Sequence, residues 1–494
     1  MRRAKLEALL AITLTMGAQR PDAAAPWQRE QARARDAEGV AFAKSGRISE
    51  AIDRFRSALQ LDPALPEAAY HLALGLDAVG KTDDAIAEFE HALRLRPDFV
   101  EARYSLAGCC RKRGDFEGER RVLAEVVRLA PDFAEARYNY GLALERQEKG
   151  DLAVRQLRAA CRLDPRNPRY ALALGIALSR ANDREGLAVL RNAVDLAPSD
   201  AAAHYNYALA LSGAGASSEA IREFETAIRL NSGHSDARRG LGIMLLHDDR
   251  LDEAAQQLRG AVQIAARDEE ALNNLGLVQL RLKDFSAAIR SFERAIELNP
   301  RLIKAHANLA QAYQRAGRLD DARRETQRAA ELTAEQRALG RAMILVDNAR
   351  GRLRAGDVSA AMAALKEAVA LSPGFADAHF ELGRVILDVG QPREAIREFR
   401  AVLNLDPERA EAHHQIGLAL LAAGDQRMAV DELRAAAAMA PCRIEIMRAL
   451  ADAEFQAGDW SMAIAQYRRV LAWDAGDAKA RSQLDRALAE QARR

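Results

Sequence analysis

Nine prolines of this 494-residue chain fall on a single frame. Pro63, Pro97, Pro131 and Pro165 stand 34 residues apart, and Pro198 arrives one residue early. Pro300 lies three further periods on, and Pro373, Pro407 and Pro441 resume the spacing after a five-residue insertion. A fixed period of this length marks a repeat architecture, in which each unit buries its apolar face only against its neighbours. The roughly three globular domains that length alone would suggest are therefore the wrong frame.

Further landmarks recur inside each period. With the proline as position 32, the first repeat begins at Ala32, and position 8 is Gly or Ala in all thirteen units, for example Gly39, Ala73, Gly276 and Gly383. Position 20 is Ala in most units (Ala51, Ala220, Ala395), with Glu119 and Gly186 as exceptions, and position 24 is usually Phe or Leu (Phe89, Phe224, Phe292, Phe399). Small residues are needed where the backbones of two packed helices come closest, and a larger one fills the adjoining gap. Gly at position 15, as at Gly46, Gly80 and Gly317, suits a left-handed helix exit, and the following proline stops the second helix. Each unit thus reads as helix, turn, helix, stop.

Composition agrees. Aromatics are 5% of residues and charged residues 29%, a profile suited to long helices whose small side chains let neighbours approach. Lys and Arg total 72 against 71 for Asp and Glu, a balance that supplies no net attraction to nucleic acid or to acidic membranes. The four cysteines, Cys109, Cys110, Cys161 and Cys442, form no C-x-x-C pair. They read first as small buried hydrophobes, with redox chemistry or metal binding as the alternative, and they leave the compartment open.

The spacing partitions the chain. Residues 1–31 form a leader in which Arg2, Arg3 and Lys5 precede an apolar run from Ala8 to Ala18. That order is expected of a signal peptide followed by a short linker, and it favours an exported or envelope-associated protein over a cytoplasmic one. No other stretch has the length of a membrane span. Repeats one to nine occupy 32–336 and repeats ten to thirteen occupy 342–477. Between them, residues 337–341 are an insertion expected to lengthen a helix that starts near Thr333, which has capping-box spacing to Gln336. A capping helix is expected over 478–494.

The pattern resembles the tetratricopeptide repeat, clearest in the unit starting at Ile303 with Leu309, Ala310, Tyr313, Ala322 and Ala329, although Ala334 stands where the stop proline belongs. The resemblance covers Ala32 to about Ala475. It implies an all-α, right-handed superhelical solenoid of about thirteen helix-turn-helix repeats, with the first helices lining a concave groove. The family's Trp at position 4 is absent throughout, which reads as a smaller packing site.

On the expected concave face, position 5 holds Tyr70, Tyr104, Tyr138 and Tyr205, each of which either meets a partner or packs beside the next repeat. Position 6 holds Asn139, Asn206, Asn274 and Asn308, similar in part to the asparagine ladder of O-linked N-acetylglucosamine transferases. The other reading of these amides is local helix contact. Position 13 is basic in seven repeats, including Arg146, Arg180, Arg281 and Arg315, while Glu67, Glu101 and Glu135 sit at position 2. These charges form either complementary edges for a bound strand or solvated helix ends favoured by the helix dipole.

No phosphate-binding loop, nucleophile elbow, zinc-protease helix or dinucleotide fingerprint occurs. Once thirteen repeats are subtracted, no segment remains for a catalytic domain. The expectation is a non-enzymatic scaffold without cofactor or metal, holding protein or peptide partners and no nucleic acid. A self-associating assembly protein and the substrate-binding subunit of a transferase are the alternatives, and the oligomeric state is left open.

Overall fold

The computed structural model describes residues 24–474 and 476–493. Among them are 26 α-helices and no β-strand. The basic and apolar N-terminal run lies outside the described residues. Helix Pro26–Lys44 carries the first helix of repeat one, so residues 26–31 of the expected linker are helical.

Repeat two shows the unit in full. Helix Pro66–Ala78 opens on a proline whose fixed φ and missing N–H suit the first helical position. It closes through Gly80 at φ 79°, where the Lys81 N–H reaches back to the Leu76 carbonyl at 2.9 Å. Helix Thr82–Leu95 follows. The nine glycines at position 15 all hold φ between 75° and 87°. In the four repeats without glycine there, Glu148, Asn182, Asp249 and Lys283 adopt the same left-handed conformation at φ 55–63°. Helix pairing therefore imposes the turn, and glycine only makes it cheaper. Several second helices begin on an Asp whose carboxylate accepts a backbone N–H of the first turn, as Asp284 does from Ala287 and Asp357 from Ala360.

Position 8 meets position 24 of the same repeat. A Cβ on Gly276 would stand 2.6 Å from Phe292 Cε1, and one on Gly383 would stand 2.7 Å from Phe399 Cε1. Phe89, Phe224, Phe292 and Phe399 are fully enclosed, as are Ala51, Ala220 and Ala395 at position 20.

The expected helix start at Thr333 does not occur. Leu319–Arg354 is one 36-residue helix, and the Thr333 hydroxyl donates to the Ala329 carbonyl of that same helix at 2.7 Å. With Ala334 in place of the stop proline, nothing interrupts the backbone ladder. The second helix of repeat nine runs through residues 337–341 into the first helix of repeat ten.

The chain divides into two compact units. One is Pro131–Ala419, holding repeats four to eleven and the opening of repeat twelve. The other is discontinuous, formed by residues up to Ala130 and from Leu420 onward. Within the discontinuous unit the end of the array packs on its beginning. Cys110 and Cys442 form a disulfide with Cα atoms 5.9 Å apart. Glu90 accepts hydrogen bonds from Arg469 and from Trp473 Nε1 at 2.8–3.0 Å. Asp115 accepts from the Cys442 N–H at 3.1 Å and from Arg443 Nε at 3.2 Å. Helix Ala478–Ala492 lays Ala480 and Ala487 on the cluster around Tyr467. The disulfide corrects the reading of all four cysteines as plain hydrophobes. Its two members lie 332 residues apart, and no local spacing marks partners at that distance.

Candidate partner-binding surface

The aromatic side chains at position 5 turn to the junction with the next repeat. Tyr70 has its ring centroid 5.0 Å from that of Phe99, and Tyr205 lies 4.8 Å from His234, in each case against the turn that enters the following unit. Tyr138 sits 5.0 Å from Tyr170, with the Arg169 guanidinium 5.0 Å over its ring. Tyr104 is half-buried, and burial raises the Tyr205 hydroxyl above its ordinary pKa. These contacts fit the packing reading.

The asparagines do not form one continuous row. Asn206 Nδ2 donates to the Ala202 carbonyl and Asn274 Nδ2 to the Glu270 carbonyl, both at 2.8 Å and both four residues back in the same helix. Asn308 instead donates to Asn273 Oδ1 of the preceding repeat at 3.0 Å. Asn139 is half-buried.

Several of the expected charges are taken up by ties within and between repeats. Lys112 pairs with Asp77 at 2.7 Å and Arg180 with Glu145 at 3.0 Å, each reaching the acid 35 positions earlier. Arg281 donates to the Leu246 carbonyl at 3.2 Å. Glu67 is bonded by Arg96, and Glu135 by Tyr170 at 2.7 Å. Exposed pairs of this kind stabilise little individually, so their effect is to fix the register of neighbouring units. Arg146 and Arg315 are exposed.

Position 4, expected to be merely a smaller packing site, carries a recurrent polar clamp. His204, His306 and His379 each place Nδ1 2.6–2.8 Å from a second-helix carboxylate, that of Glu223, Glu325 or Glu398. Nε2 of each lies 3.0–3.1 Å from the carbonyl of the proline that closed the previous repeat. Arg137 bridges Gln156 and the Pro131 carbonyl in the same way. The signal is in the sequence, as a Glu or Gln 19 residues after each basic side chain.

Two of the expected site residues, Arg180 and Asn206, come together in a cleft of about 750 Å³ between repeats five and six. Ile176, Leu187 and Leu209 supply its apolar lining, and Leu209 is 44% exposed. The cleft lies beside the shortened fifth repeat, whose second helix Glu185–Leu196 has 12 residues where those before and after it have 14. A larger cleft of about 1120 Å³ flanks the long helix between Thr333 and Leu339 and holds none of the expected residues.

Among the described residues no cluster of His, Cys, Asp or Glu could hold a metal ion, and no helix is long and apolar enough to cross a membrane.

Paired antiparallel helices recurring with one internal register define a helical-repeat protein, a class that typically serves as a non-catalytic protein-interaction scaffold. The chain belongs to the tetratricopeptide repeat family, whose models match residues 70–132, 120–168, 208–269, 269–302, 291–324 and 352–418. Among solved structures it is similar to the APC/C hetero-tetramer Cut9–Hcn1, at 16% identity over 94% of this chain and 97% of that chain, with a TM-score of 0.36. It is also similar to MamA of Desulfovibrio magneticus RS-1, at 23% identity over 34% of this chain and 94% of that chain, TM-score 0.32. PilF of Pseudomonas aeruginosa is similar at 24% identity over 42% of this chain and 92% of that chain, TM-score 0.32. No curated protein matches the chain.

Proposed function

We propose that the protein is a non-catalytic scaffold that holds an extended peptide or a helical partner on the face of its first helices, with the cleft between repeats five and six as the principal docking point. The observation that carries this reading is the meeting of an exposed Leu209 with Asn206 and Arg180 in that cleft. An apolar floor with a few polar groups at its rim is the usual composition of a recognition site. The Oδ1 atom of Asn206 has no protein partner among the described residues, so it is free to accept a backbone N–H.

The test is a tiled peptide array probed with the full chain and with Leu209→Glu, Asn206→Ala and Arg180→Ala variants. Peptides captured by the wild type should be lost with Leu209→Glu and weakened with the other two. Unchanged capture by all three variants would remove the cleft from the reading.

We also propose that the protein is exported. The basic and apolar order of residues 2–18 supports this, as does the Cys110–Cys442 disulfide, since disulfides persist mainly in oxidising compartments. Cell fractionation with N-terminal sequencing of the mature chain tests it. Recovery of the intact N-terminus in the cytoplasm would overturn it.

A further inference from the structure

Several polar groups of repeats two and three meet the C-terminal repeats. Glu90, 1% exposed, faces Arg469 and the Trp473 indole. Asp115, 2% exposed, takes the Cys442 N–H and Arg443. Arg113 donates to the Ala438 carbonyl at 3.1 Å, and Arg121 pairs with Glu445. Gly118 leaves room for the approach, because a Cβ there would stand 2.6 Å from the Cys442 Cβ.

Charged groups removed from water gain little more from pairing than they lose in hydration, so these ion pairs alone add little net stability to the contact. A covalent tie changes that balance by holding the two faces at high effective concentration. We propose that the Cys110–Cys442 disulfide is a redox-controlled latch, which keeps the C-terminal repeats seated on the mixed-charge docking surface of repeats two and three and releases them when reduced.

The reaction requires a dithiol reductant. Its first thiolate attacks one sulfur of the disulfide, and the other sulfur leaves as a thiolate and takes a proton. The reductant's second thiol then resolves the mixed disulfide, so that two protein thiols and one reductant disulfide result. A cleft of about 500 Å³, lined by Arg103, Arg121, Val122, Cys442, Ile444 and Trp473, lies beside the bond, whose residues Cys110 and Cys442 are 0% and 2% exposed, so attack on it proceeds through local opening of this contact. Cys109, adjacent to Cys110, does not compete as an attacking group. Its buried thiol is pushed up to about 12, so it carries almost no thiolate at neutral pH.

Hydrogen exchange on the full chain, oxidised and after dithiothreitol, tests the latch. Amides of residues 110–122 and 441–473 should exchange about tenfold or more faster in the reduced chain, with repeats four to eleven unchanged as internal control. A Cys110→Ser, Cys442→Ser double variant should show the same pattern without reductant. Gly118→Leu, which keeps both thiols but blocks the approach, should expose the same two segments. Equal protection in oxidised and reduced chains, or loss of protection spread evenly through repeats four to eleven, would overturn the proposal.

Discussion

The Glu90 carboxylate in the second helix of repeat two accepts two hydrogen bonds from the Arg469 guanidinium of repeat thirteen, at 2.9 and 3.0 Å, across a sequence separation of 379 residues. Repeats of this kind ordinarily contact only their sequence neighbours. Here a fully enclosed anion depends on a cation from the far end of the chain.

Removing one partner of such a pair strands the other. Glu90→Ala should destabilise the discontinuous unit by about 2–4 kcal/mol, while Glu90→Leu combined with Arg469→Met should recover most of the loss, because an apolar pair of similar volume needs no counter-charge. Urea unfolding followed by tryptophan fluorescence reads both, since Trp473 donates to the same carboxylate. A double variant as unstable as the single one would show that the interface depends on the charges themselves.

The register of the helix pairs makes a prediction of opposite sign at two glycines. Gly276→Leu drives its side chain into Phe292 and should destabilise by roughly 1–3 kcal/mol through overpacking. Gly340 lies inside the long helix with nothing within 4 Å of a Cβ, so Gly340→Ala should stabilise by up to about 1 kcal/mol through helix propensity alone. Melting temperatures of the two variants against wild type decide it. Equal effects would mean that position 8 is not the closest contact.

These two glycines also show what was legible in the sequence. Gly276 stands in a column of small residues at a fixed offset from a Phe, and period plus side-chain size gave its place in the fold. Repeat three was legible only as an irregularity, with Glu119 where the pattern expects Ala. The neighbouring Gly118 makes room for Cys442, more than three hundred positions away, and local pattern carries no information about that partner. On the candidate surface, residue type and face could be read off, but occupancy could not. Whether Arg180 is free depends on the presence of Glu145 one unit earlier, and whether Asn206 points outward depends on competition from the Ala202 carbonyl of its own helix.

The cysteines make a countable prediction. Alkylation of the unfolded, unreduced chain should label Cys109 and Cys161 only, and prior reduction should raise the number to four. In the native state both free thiols should react slowly at neutral pH. Burial pushes Cys109 up to about 12 and Cys161 up to about 11, so the thiolate fraction, and with it the rate, rises as pH climbs towards those values. Mass spectrometry after iodoacetamide trapping reads the count and the rate. Four labelled cysteines before reduction would mean that no disulfide forms.

The long helix yields the sharpest test of why the array is irregular at its ninth repeat. Most units carry a proline at position 32, where it follows a finished helix and satisfies the turn. At Ala334 the same position lies inside the continuous helix Leu319–Arg354, on an exposed face, so a proline there would meet no packing obstacle. It would still remove one backbone donor and clash with the preceding turn, costing about 3 kcal/mol or more. Ala334→Pro should therefore destabilise the chain although it restores the family pattern, and exchange of the amides around residues 330–345 should accelerate before that of neighbouring repeats. If the variant is instead as stable as wild type, the continuous helix is not the lowest-energy path through residues 337–341, and the chain there prefers the interrupted helix that the repeat pattern alone suggests.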